Sequence, residues 1–258
     1  MAATKIINYK WTTEMRPNDL APIWPFVNEP VDLIFADPPY NYGVKYKDDE
    51  TRDKLPPEEY RALVEATLFK LSKMVKPGGT LWWLCPAEAG DWVWQAIHKY
   101  GWLLYGKPII WYERFSQYQQ KRLTSDYRLL FPLIGGGQTK ATTFNPDDIR
   151  VKSVRQLMGD PRANPDGRVP GHLWVVSRLQ GNAAARVDWH TAQLGPGPLE
   201  TIVQGWTNPG DTVLDAFAGS GSLGVVCKAL GRDFVGIDGS ATYCKLMRQR
   251  LKEAPSAK

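Results

Sequence analysis

Short apolar runs alternate along the chain with stretches whose apolar residues recur at helical spacing. The first strong run, 31–36, is closed by Pro38 and Pro39, which cannot donate backbone hydrogen bonds and therefore end a strand. The elements predicted in the first half of the chain are a strand over 31–36, a helix over 57–75 that Pro77-Gly78-Gly79 ends, a strand over 80–84, a helix over 87–100 and a strand over 108–112.

The same alternation returns towards the carboxyl terminus. There the pattern predicts a helix over 199–206, a strand over 212–215, a helix over 222–230, a strand over 234–238 and a helix over 241–251. Strands that alternate with helices are typical of an α/β fold with a mostly parallel sheet. We therefore predict a single domain over 1–258, built on an open, mostly parallel sheet with helices on both faces.

The periodicity fades in the middle of the chain, between 113 and 171. Turn signals replace it, among them Gly135-Gly136-Gly137 and Asn164-Pro165-Asp166-Gly167. We interpret this range as an insertion that forms a small lobe on the sheet.

Length and composition exclude several classes of protein. The chain has 258 residues, of which 43% are hydrophobic and 23% charged, as expected of a globular domain and not of a disordered chain. It contains no apolar run long enough to span a membrane, and residues 1–5 lack the layout of a secretory signal, so we expect a cytoplasmic protein without a membrane partner. The three cysteines form no C-x-x-C pair and the three histidines are scattered, which argues against a disulfide framework and against a metal site.

Positive charge is concentrated in the middle of the chain. The formal net charge is +5, and residues 106–178 carry twelve Lys or Arg against six Asp or Glu. This local surplus predicts a docking surface for a nucleic acid, although a solvated basic face without a partner has the same composition. The candidate phosphate contacts are the basic residues Arg114, Lys121, Arg122, Arg128, Arg150, Lys152 and Arg155.

A glycine-rich loop follows the predicted strand 212–215. Residues 219–224 match the pattern G-x-G-x-x-G, and Asp238 stands nineteen residues after the first glycine. Such a loop lets a ligand approach the backbone at a helix N-terminus, while the later carboxylate accepts hydrogen bonds from ribose hydroxyls. Asp215 would repel a pyrophosphate, so the loop fits S-adenosylmethionine, which carries an ammonium group and a sulfonium, better than NAD. A structural turn without a ligand stays an alternative.

The tetrad Asp37-Pro38-Pro39-Tyr40 follows the predicted strand 31–36, at the position where open α/β sheets place their chemistry. A rigid turn with an incidental acid has the same sequence. An exocyclic amine is a poor nucleophile because its lone pair is delocalised into the ring, and two acceptors beside its hydrogens favour a pyramidal nitrogen. The Asp37 carboxylate and the Pro38 carbonyl supply such a pair, and the Tyr40 ring can stack on an extrahelical base.

Three segments resemble the amino-methylating DNA methyltransferases, which transfer a methyl group from S-adenosylmethionine to N6 of adenine or N4 of cytosine. They are 31–41 with the tetrad, 210–221 with the glycine loop and 231–243 with Asp238. The order of the tetrad, a variable stretch and the cofactor loop resembles the beta class of this family, whose variable stretch recognises the DNA target. The resemblance implies a Rossmann-like methyltransferase fold with 113–171 as an inserted target-recognition region.

The resemblance also implies roles for individual residues. The catalytic residues that it implies are Asp37, Pro38, Pro39 and Tyr40. The cofactor contacts that it implies are Asp215, Phe217, Gly219, Ser220, Gly221, Asp238, His190, Thr191 and Gln193. The last three belong to 190–196, which takes the place of a family motif of the type H-P-T-Q-K-P. Thr191 replaces the first proline of that motif, and Leu194-Gly195 replace its lysine and shift the final proline by one. An acid that such enzymes place upstream of the tetrad has no clear match over 8–13, and Asp19 is the candidate for it.

The leading hypothesis is an S-adenosylmethionine-dependent DNA methyltransferase that methylates N6 of adenine on an extrahelical base. By resemblance, adenine is preferred to cytosine because the tetrad begins with Asp and not with Ser. N4-cytosine methylation is the nearest alternative, and RNA methylation, an NAD-dependent oxidoreductase and a catalytically silent nucleic-acid binder stay open. Carbon-5 methylation of cytosine is disfavoured because it needs a Pro-Cys nucleophile, whereas Cys85 precedes its proline. Since the insertion is short, we expect either a short target or a homodimer.

Overall fold

One mixed β-sheet runs through the protein, of which the computed structural model describes residues 2–13, 29–48, 53–114, 120–121, 123–179 and 185–257. The strands in these ranges are β1 Thr4–Asn8, β2 Val31–Ala36, β3 Val75–Pro86, β4 Leu103–Leu104, β5 Ile109–Glu113, β6 Tyr127–Ile134, β7 Leu173–Val176, β8 Thr212–Asp215 and β9 Asp233–Asp238. The helices are α1 Pro57–Ser72, α2 Gly90–Lys99, α3 Val154–Leu157, α4 Pro196–Trp206, α5 Ser222–Leu230 and α6 Ala241–Glu253. Asp19 lies outside the described residues.

The sheet is open and mostly parallel. Its strand order is β1-β9-β8-β2-β3-β6-β5-β7, and β4 pairs with β6 beside β5. In this spatial order, neighbouring strands are parallel from β1 through β9, β8 and β2 to β3, and β5 is parallel to β7. β6 runs antiparallel to β3, β4 and β5. The predicted α/β fold is therefore confirmed.

Helices cover both faces of the sheet, because successive side chains of a strand point to opposite faces. In β2, Ile34 belongs to the apolar core that includes residues of α1 and α2. Leu33 and Phe35 belong to the opposite core, which includes residues of α4, α5 and α6. A strand buried on both faces reads as a continuous apolar run, which is why the sequence pattern locates β2 correctly.

β3 is longer than the sequence pattern predicts, because Pro77-Gly78-Gly79 lies inside the strand instead of ending a helix before it. α1 ends earlier, at Ser72. β3 pairs with β2 at Val75 and again from Thr80, and the shift of register between these points places the turn-forming residues in a bulge.

β6 is a sheet strand that the sequence pattern did not predict, because its residues fall within 113–171. Pro132 interrupts its apolar run, and central strands seldom contain proline. The proline is tolerated because β6 pairs with β5 up to Leu130 and with β4 from Leu133. Tyr105 N donates a hydrogen bond to the Pro132 carbonyl at 2.8 Å. The Pro132 nitrogen, which carries no hydrogen, faces the same side of β6, at the point where the partner strand changes from β5 to β4.

β6 divides the predicted insertion into two parts, a connection over 114–126 and a lobe over 135–172. The lobe is anchored at the amino-terminal ends of the parallel strands. Thr142 N donates to the Gly78 carbonyl, near the start of β3, at 2.8 Å. Asn145 Nδ2 donates to the carbonyls of Gln204 at 3.0 Å and Thr207 at 3.1 Å, shortly before β8.

Within the described ranges, no helix combines the length and the apolar character that a membrane span requires. The same residues contain no cluster of three His, Cys, Asp or Glu side chains that could hold a metal ion. All three cysteines, Cys85, Cys227 and Cys244, are buried and unpaired.

Candidate active site

The carboxyl-terminal ends of β2, β8 and β9 lie side by side and border a cavity of about 1300 Å³. Phe35 of β2 is in register with Asp215 of β8, and the Phe35 carbonyl accepts a hydrogen bond from Ala216 N at 2.9 Å. The tetrad that follows β2 and the glycine loop that follows β8 therefore open into one cavity. We call this side of the sheet the carboxyl edge.

The glycine loop needs glycine at two positions for different reasons. Gly219 has a φ of +47°, and a Cβ added there would lie 2.7 Å from His190 Nε2. Gly221 has a φ of +74°, and a Cβ added there would lie 2.5 Å from Met247 Cγ of α6. Gly219 lines the cavity, whereas Gly221 permits the loop to pack on α6. Ser220 also lines the cavity, and its carbonyl accepts a hydrogen bond from Arg250 Nη1 at 2.7 Å.

Asp238 at the end of β9 is held by two backbone amides. Its carboxylate accepts hydrogen bonds from Gly219 N and from Ser240 N, each at 2.8 Å. Burial raises the pKa of Asp238, and the two amide donors oppose that effect. The carboxylate is thus fixed beside the glycine loop at the end of β9.

Asp215 is a buried carboxyl group in the wall of the cavity. Burial raises its pKa to about 8, and the nearby Asp37 and Asp238 add to the effect, although Phe217 N donates a hydrogen bond to it at 3.2 Å. Among the described residues, no cation contributes to the pKa of Asp215, and such a buried acid favours a positively charged ligand. The residues present therefore fit the ammonium group of S-adenosylmethionine and not a pyrophosphate.

His190, Thr191 and Gln193 line the same cavity. The His190 ring lies 4.8 Å from the Tyr243 ring, and burial together with the charge of Arg250 lowers the pKa of His190 to about 4. Gln193 ties its segment to the glycine loop, because its Nε2 donates to Ser222 Oγ at 3.2 Å. The neutral histidine thus packs over the loop while the glutamine fixes the backbone beside it.

Aromatic residues complete the wall of the cavity beside the glycine loop, and the sequence pattern did not predict two of them, Tyr9 and Trp11. Tyr9 and Trp11 follow β1, and Trp11 Nε1 donates to the Ala216 carbonyl at 2.8 Å. The Trp11 ring lies 5.9 Å from the ring of Phe217. No local motif marks Tyr9 and Trp11, because only the pairing of β1 with β9 brings them here.

The tetrad lies on the other side of the cavity, with all four residues in the cavity wall. The Tyr40 hydroxyl donates a hydrogen bond to Asp37 Oδ1. Burial raises the pKa of Asp37, and the charge of Arg128 and the Tyr40 hydrogen bond oppose that rise. Burial raises the pKa of Tyr40 well above its usual value, so the phenol keeps its proton.

The backbone after the tetrad is fixed by Asp53. Its carboxylate accepts hydrogen bonds from Asn41 N at 2.8 Å and Tyr42 N at 3.1 Å. Asn41, with a φ of +64°, in turn accepts from Leu55 N through its side chain at 2.6 Å. Further along, Asp48 Oδ2 accepts from Ser240 Oγ at 2.8 Å, so that the loop 41–48 joins the tetrad to the start of α6.

The charged residues outside the predicted catalytic set that line the cavity include Glu113, Arg128 and Arg178. Arg128 donates to Glu113 and, at 3.1 Å, to the Tyr40 hydroxyl. Sequence reasoning named Arg128 as a phosphate contact and missed Glu113 and Arg178. Glu113 directly follows the predicted strand 108–112, and an acid at such a position is the signal by which it could have been found.

The other predicted phosphate contacts are divided between the two edges of the sheet. Arg114 and Lys121 are exposed in the connection at the carboxyl edge, and Arg122 lies outside the described residues. Three belong to the lobe at the opposite edge, where Arg150 Nε pairs with Asp147 at 2.8 Å and Lys152 and Arg155 are exposed. The structure therefore does not bring the seven basic residues together.

Solved structures of methyltransferases share this fold. The chain aligns with the M1.HpyAVI–SAM complex at a TM-score of 0.64 and 20% identity, over 96% of this chain and 98% of that one. It aligns with the cytosine-N4-specific PvuII DNA methyltransferase at a TM-score of 0.62 and 15% identity, over 86% of this chain and 79% of that one.

Curated relatives are more similar in sequence. The type II methyltransferase M.HpaI of Haemophilus parainfluenzae is 30% identical over 86% of this chain and 68% of its own length. The DNA adenine methyltransferase YhdJ of Escherichia coli (strain K12) is 30% identical over 88% of this chain and 78% of its own length. The family model described as DNA methylase, which covers N6 and N4 methyltransferases, matches residues 31–249. From the tetrad to α6, therefore, this chain belongs to the family of DNA methylases that methylate exocyclic amino groups.

Proposed function

We propose that the protein is an adenine-N6 DNA methyltransferase that uses S-adenosyl-L-methionine as its methyl donor. One observation carries the proposal. Asp37 directly follows β2, Asp215 ends the neighbouring parallel strand β8, and both residues line one cavity. The first can hold an amine and the second an ammonium group. M1.HpyAVI, a structural neighbour, has been solved as a SAM complex.

The residues of the cavity divide the binding of the donor between them. Asp215 holds the ammonium group, Asp238 accepts hydrogen bonds from the ribose hydroxyls, and Gly219 lets the ligand approach the backbone. When bound, the donor would supply an electrophilic methyl carbon. The amine nitrogen would form a bond to it, the electron pair of the breaking C–S bond would stay on sulfur, and the nitrogen would then pass a proton to solvent.

The tetrad prepares the amine for this reaction. The Asp37 carboxylate and the Pro38 carbonyl accept hydrogen bonds from the two amine hydrogens, which favours a pyramidal nitrogen with its lone pair directed at the methyl carbon. Both acceptors interact most strongly as positive charge develops on nitrogen, so they lower the barrier to transfer and not only the energy of binding. Tyr40 stacks on the base once it has left the DNA helix.

Adenine is the preferred base because the tetrad begins with Asp37 and because the relative YhdJ is a DNA adenine methyltransferase. The similarity to PvuII, whose structure is that of a cytosine-N4-specific enzyme, makes N4-cytosine methylation the second candidate. Hydrolysis of the methylated DNA and mass spectrometry of its nucleosides distinguish N6-methyladenine from N4-methylcytosine.

DNA binds at the carboxyl edge in this proposal, because the cavity that receives the base opens there. Arg114 and Lys121 of the connection and Lys45 of the loop 41–48 are exposed at this edge and supply phosphate contacts. The basic residues of the lobe lie on a segment anchored at the opposite edge, so we assign them no contact with the DNA that surrounds the target base.

The proposal is tested by incubating the protein with S-adenosylmethionine labelled in its methyl group and with unmethylated DNA or RNA. We expect transfer to DNA, and a loss of at least about 10²-fold in rate for Asp37→Ala, because one acceptor of the amine is removed. Asp166→Asn, which changes an exposed carboxylate of the lobe, is the matched control and should transfer at the wild-type rate. Transfer to RNA alone, no transfer to either polymer or an unchanged rate in Asp37→Ala would refute the proposal.

A further inference from the structure

A row of charged and polar side chains extends from the tetrad across the sheet. Arg128 Nη1 donates to the Tyr40 hydroxyl at 3.1 Å and lies 3.9 Å from Asp37 Oδ2. Arg128 Nη2 donates to Glu113 Oε1, and Arg178 Nε donates to Glu113 Oε2. The row thus joins the candidate catalytic carboxylate to an arginine on the rim of the cavity, whose side chain is 45% exposed.

Three different strands supply this row. Glu113 ends β5, Arg128 is the second residue of β6, and Arg178 follows β7. Because β6 runs antiparallel to β3 and β5, its beginning and the end of β5 lie together at the carboxyl edge. The sheet itself therefore fixes the distance between Arg128 and Glu113.

Burial makes the pairing of these charges necessary. The side chain of Glu113 is 8% exposed and that of Arg128 is 19% exposed. A buried carboxylate without a partner is strongly destabilising, so Glu113 holds the guanidinium of Arg128 firmly. The Trp111 ring, 5.4 Å from Arg128 Cζ, supports it from another side.

The Tyr40 hydroxyl links the row to the chemistry. It donates to Asp37 Oδ1 and accepts from Arg128, so it holds one of the two carboxylate oxygens that are available to the target amine. The amine can bind to Oδ2, or to Oδ1 once the hydroxyl has released it. Arg128 then still holds the phenolic oxygen, and the Tyr40 ring keeps its place beside the base.

We propose, on the basis of the function proposed above, that Arg128 is a positioning residue: anchored on Glu113, it holds the Tyr40 ring and the Asp37 carboxylate in the arrangement that receives the target base. This role differs from the phosphate contact that the sequence predicted for Arg128. A phosphate contact requires an exposed guanidinium, whereas this one faces Trp111 and Tyr40 inside the cavity.

The charge of Arg128 also affects the ionisation of Asp37. Burial raises the pKa of Asp37, and Arg128 lowers it. The other titratable groups that face this carboxyl group come from five elements and are Glu113 of β5, Asp215 of β8, Tyr60 of α1, Cys85 of β3 and Tyr40 of the tetrad. Burial raises the pKa of Tyr60 and of Cys85 so that both are neutral near pH 7, and Glu113 raises the pKa of Asp37. Loss of Arg128 should therefore raise the pH below which Asp37 is protonated and becomes a weaker acceptor for the amine.

The test measures single-turnover methyl transfer to DNA, DNA affinity and S-adenosylmethionine affinity for Arg128→Lys and for the double variant Glu113→Gln, Arg128→Met. The double variant removes both charges, so that no carboxylate is left buried without a partner. Arg162→Met is the control, since Arg162 pairs with Asp160 at 3.0 Å in the lobe, outside the cavity. All variants are first compared with the wild type by thermal unfolding.

In the double variant we expect the transfer rate to fall on the order of 10²-fold, the acidic limb of its pH profile to move to higher pH, and both affinities to change less than about threefold. Arg128→Lys keeps the charge and should keep the pH profile while losing part of the rate. An unchanged rate and pH profile would overturn the inference, and so would a loss of DNA affinity at an unchanged transfer rate, which indicates a phosphate contact. If the double variant unfolds, the pH profile of Arg128→Lys tests the inference instead. Because this variant keeps the charge, a shift of its acidic limb would overturn the inference. A wild type that does not methylate DNA would refute the proposed function itself.

Discussion

The His190 ring lies directly against the backbone of Gly219, close enough that a methyl group added at Gly219 would stand 2.7 Å from His190 Nε2. This contact joins the two parts of the chain from which the cofactor side of the cavity is built. It also explains why the loop tolerates no side chain at its first glycine, where the φ of +47° is unfavourable for other residues.

Gly219→Ala should weaken the binding of S-adenosylmethionine at least about tenfold, because the added methyl group displaces either His190 or the loop. Isothermal titration calorimetry measures the affinity. Gly197→Ala is the matched control, since a Cβ at Gly197 meets no atom within 4 Å, and it should bind like the wild type. Equal affinity of Gly219→Ala and the wild type would show that the ligand does not use this loop.

Binding of S-adenosylmethionine should release a proton near pH 7. Burial raises the pKa of Asp215 to about 8, so the carboxyl group of the free protein is protonated at pH 7 and loses its proton when an ammonium group binds beside it. Affinity should therefore rise by up to about tenfold per pH unit between pH 6 and 7.5. Calorimetry in buffers of different ionisation enthalpy counts the released proton.

Asp215→Asn provides the control for this proton release. The amide keeps the shape of the side chain but cannot ionise, so the variant should bind more weakly at pH 7.5 and should show a smaller dependence of affinity on pH. The same proton release in the variant would assign the proton to another group, such as Asp238, whose pKa is also raised by burial.

Asp53→Ala should slow methyl transfer without weakening the binding of S-adenosylmethionine. The substitution leaves the amides of Asn41 and Tyr42 without their side-chain acceptor, which costs about 1–3 kcal/mol and loosens the backbone next to the tetrad. Single-turnover rates and calorimetry separate the two effects. Loss of cofactor affinity equal to the loss of rate would contradict this local role.

Charge reversal should distinguish the two edges of the sheet in DNA binding. Lys45→Glu and Lys121→Glu, at the carboxyl edge, should weaken DNA binding and reduce the slope of log affinity against log salt by about 0.9 for each lost phosphate contact. Lys152→Glu and Arg155→Glu in the lobe should bind DNA like the wild type. If the lobe variants lose as much affinity as the others, DNA binds at the opposite edge.

The parts of the site that the sequence predicted are those with local signals. The tetrad follows a strand that is buried on both faces, and the glycine loop lies between a strand and a helix, so hydrophobic pattern and turn chemistry locate both. Because both strands are parallel, their ends meet at one edge, and the joint cavity could be expected from the fold class alone.

The parts that the sequence did not predict depend on pairing between distant segments. β6 contains a proline, and only the change of its partner from β5 to β4 explains why Pro132 is tolerated. Without β6 there was no reason to place Arg128 beside Tyr40, or Glu113 beside Arg128. The edge at which the lobe is anchored depends equally on distant contacts, such as those of Asn145 with the end of α4.

The antiparallel course of β6 places the start of this strand beside the end of β5. β5 leaves the sheet and β6 enters it at the carboxyl edge, so the connection 114–126 starts and ends at the edge where the cavity opens. Its length and sequence can change without altering the order or the register of any strand. If the proposed function holds, exchange of this connection between related enzymes should change the target sequence and leave the reaction itself unchanged.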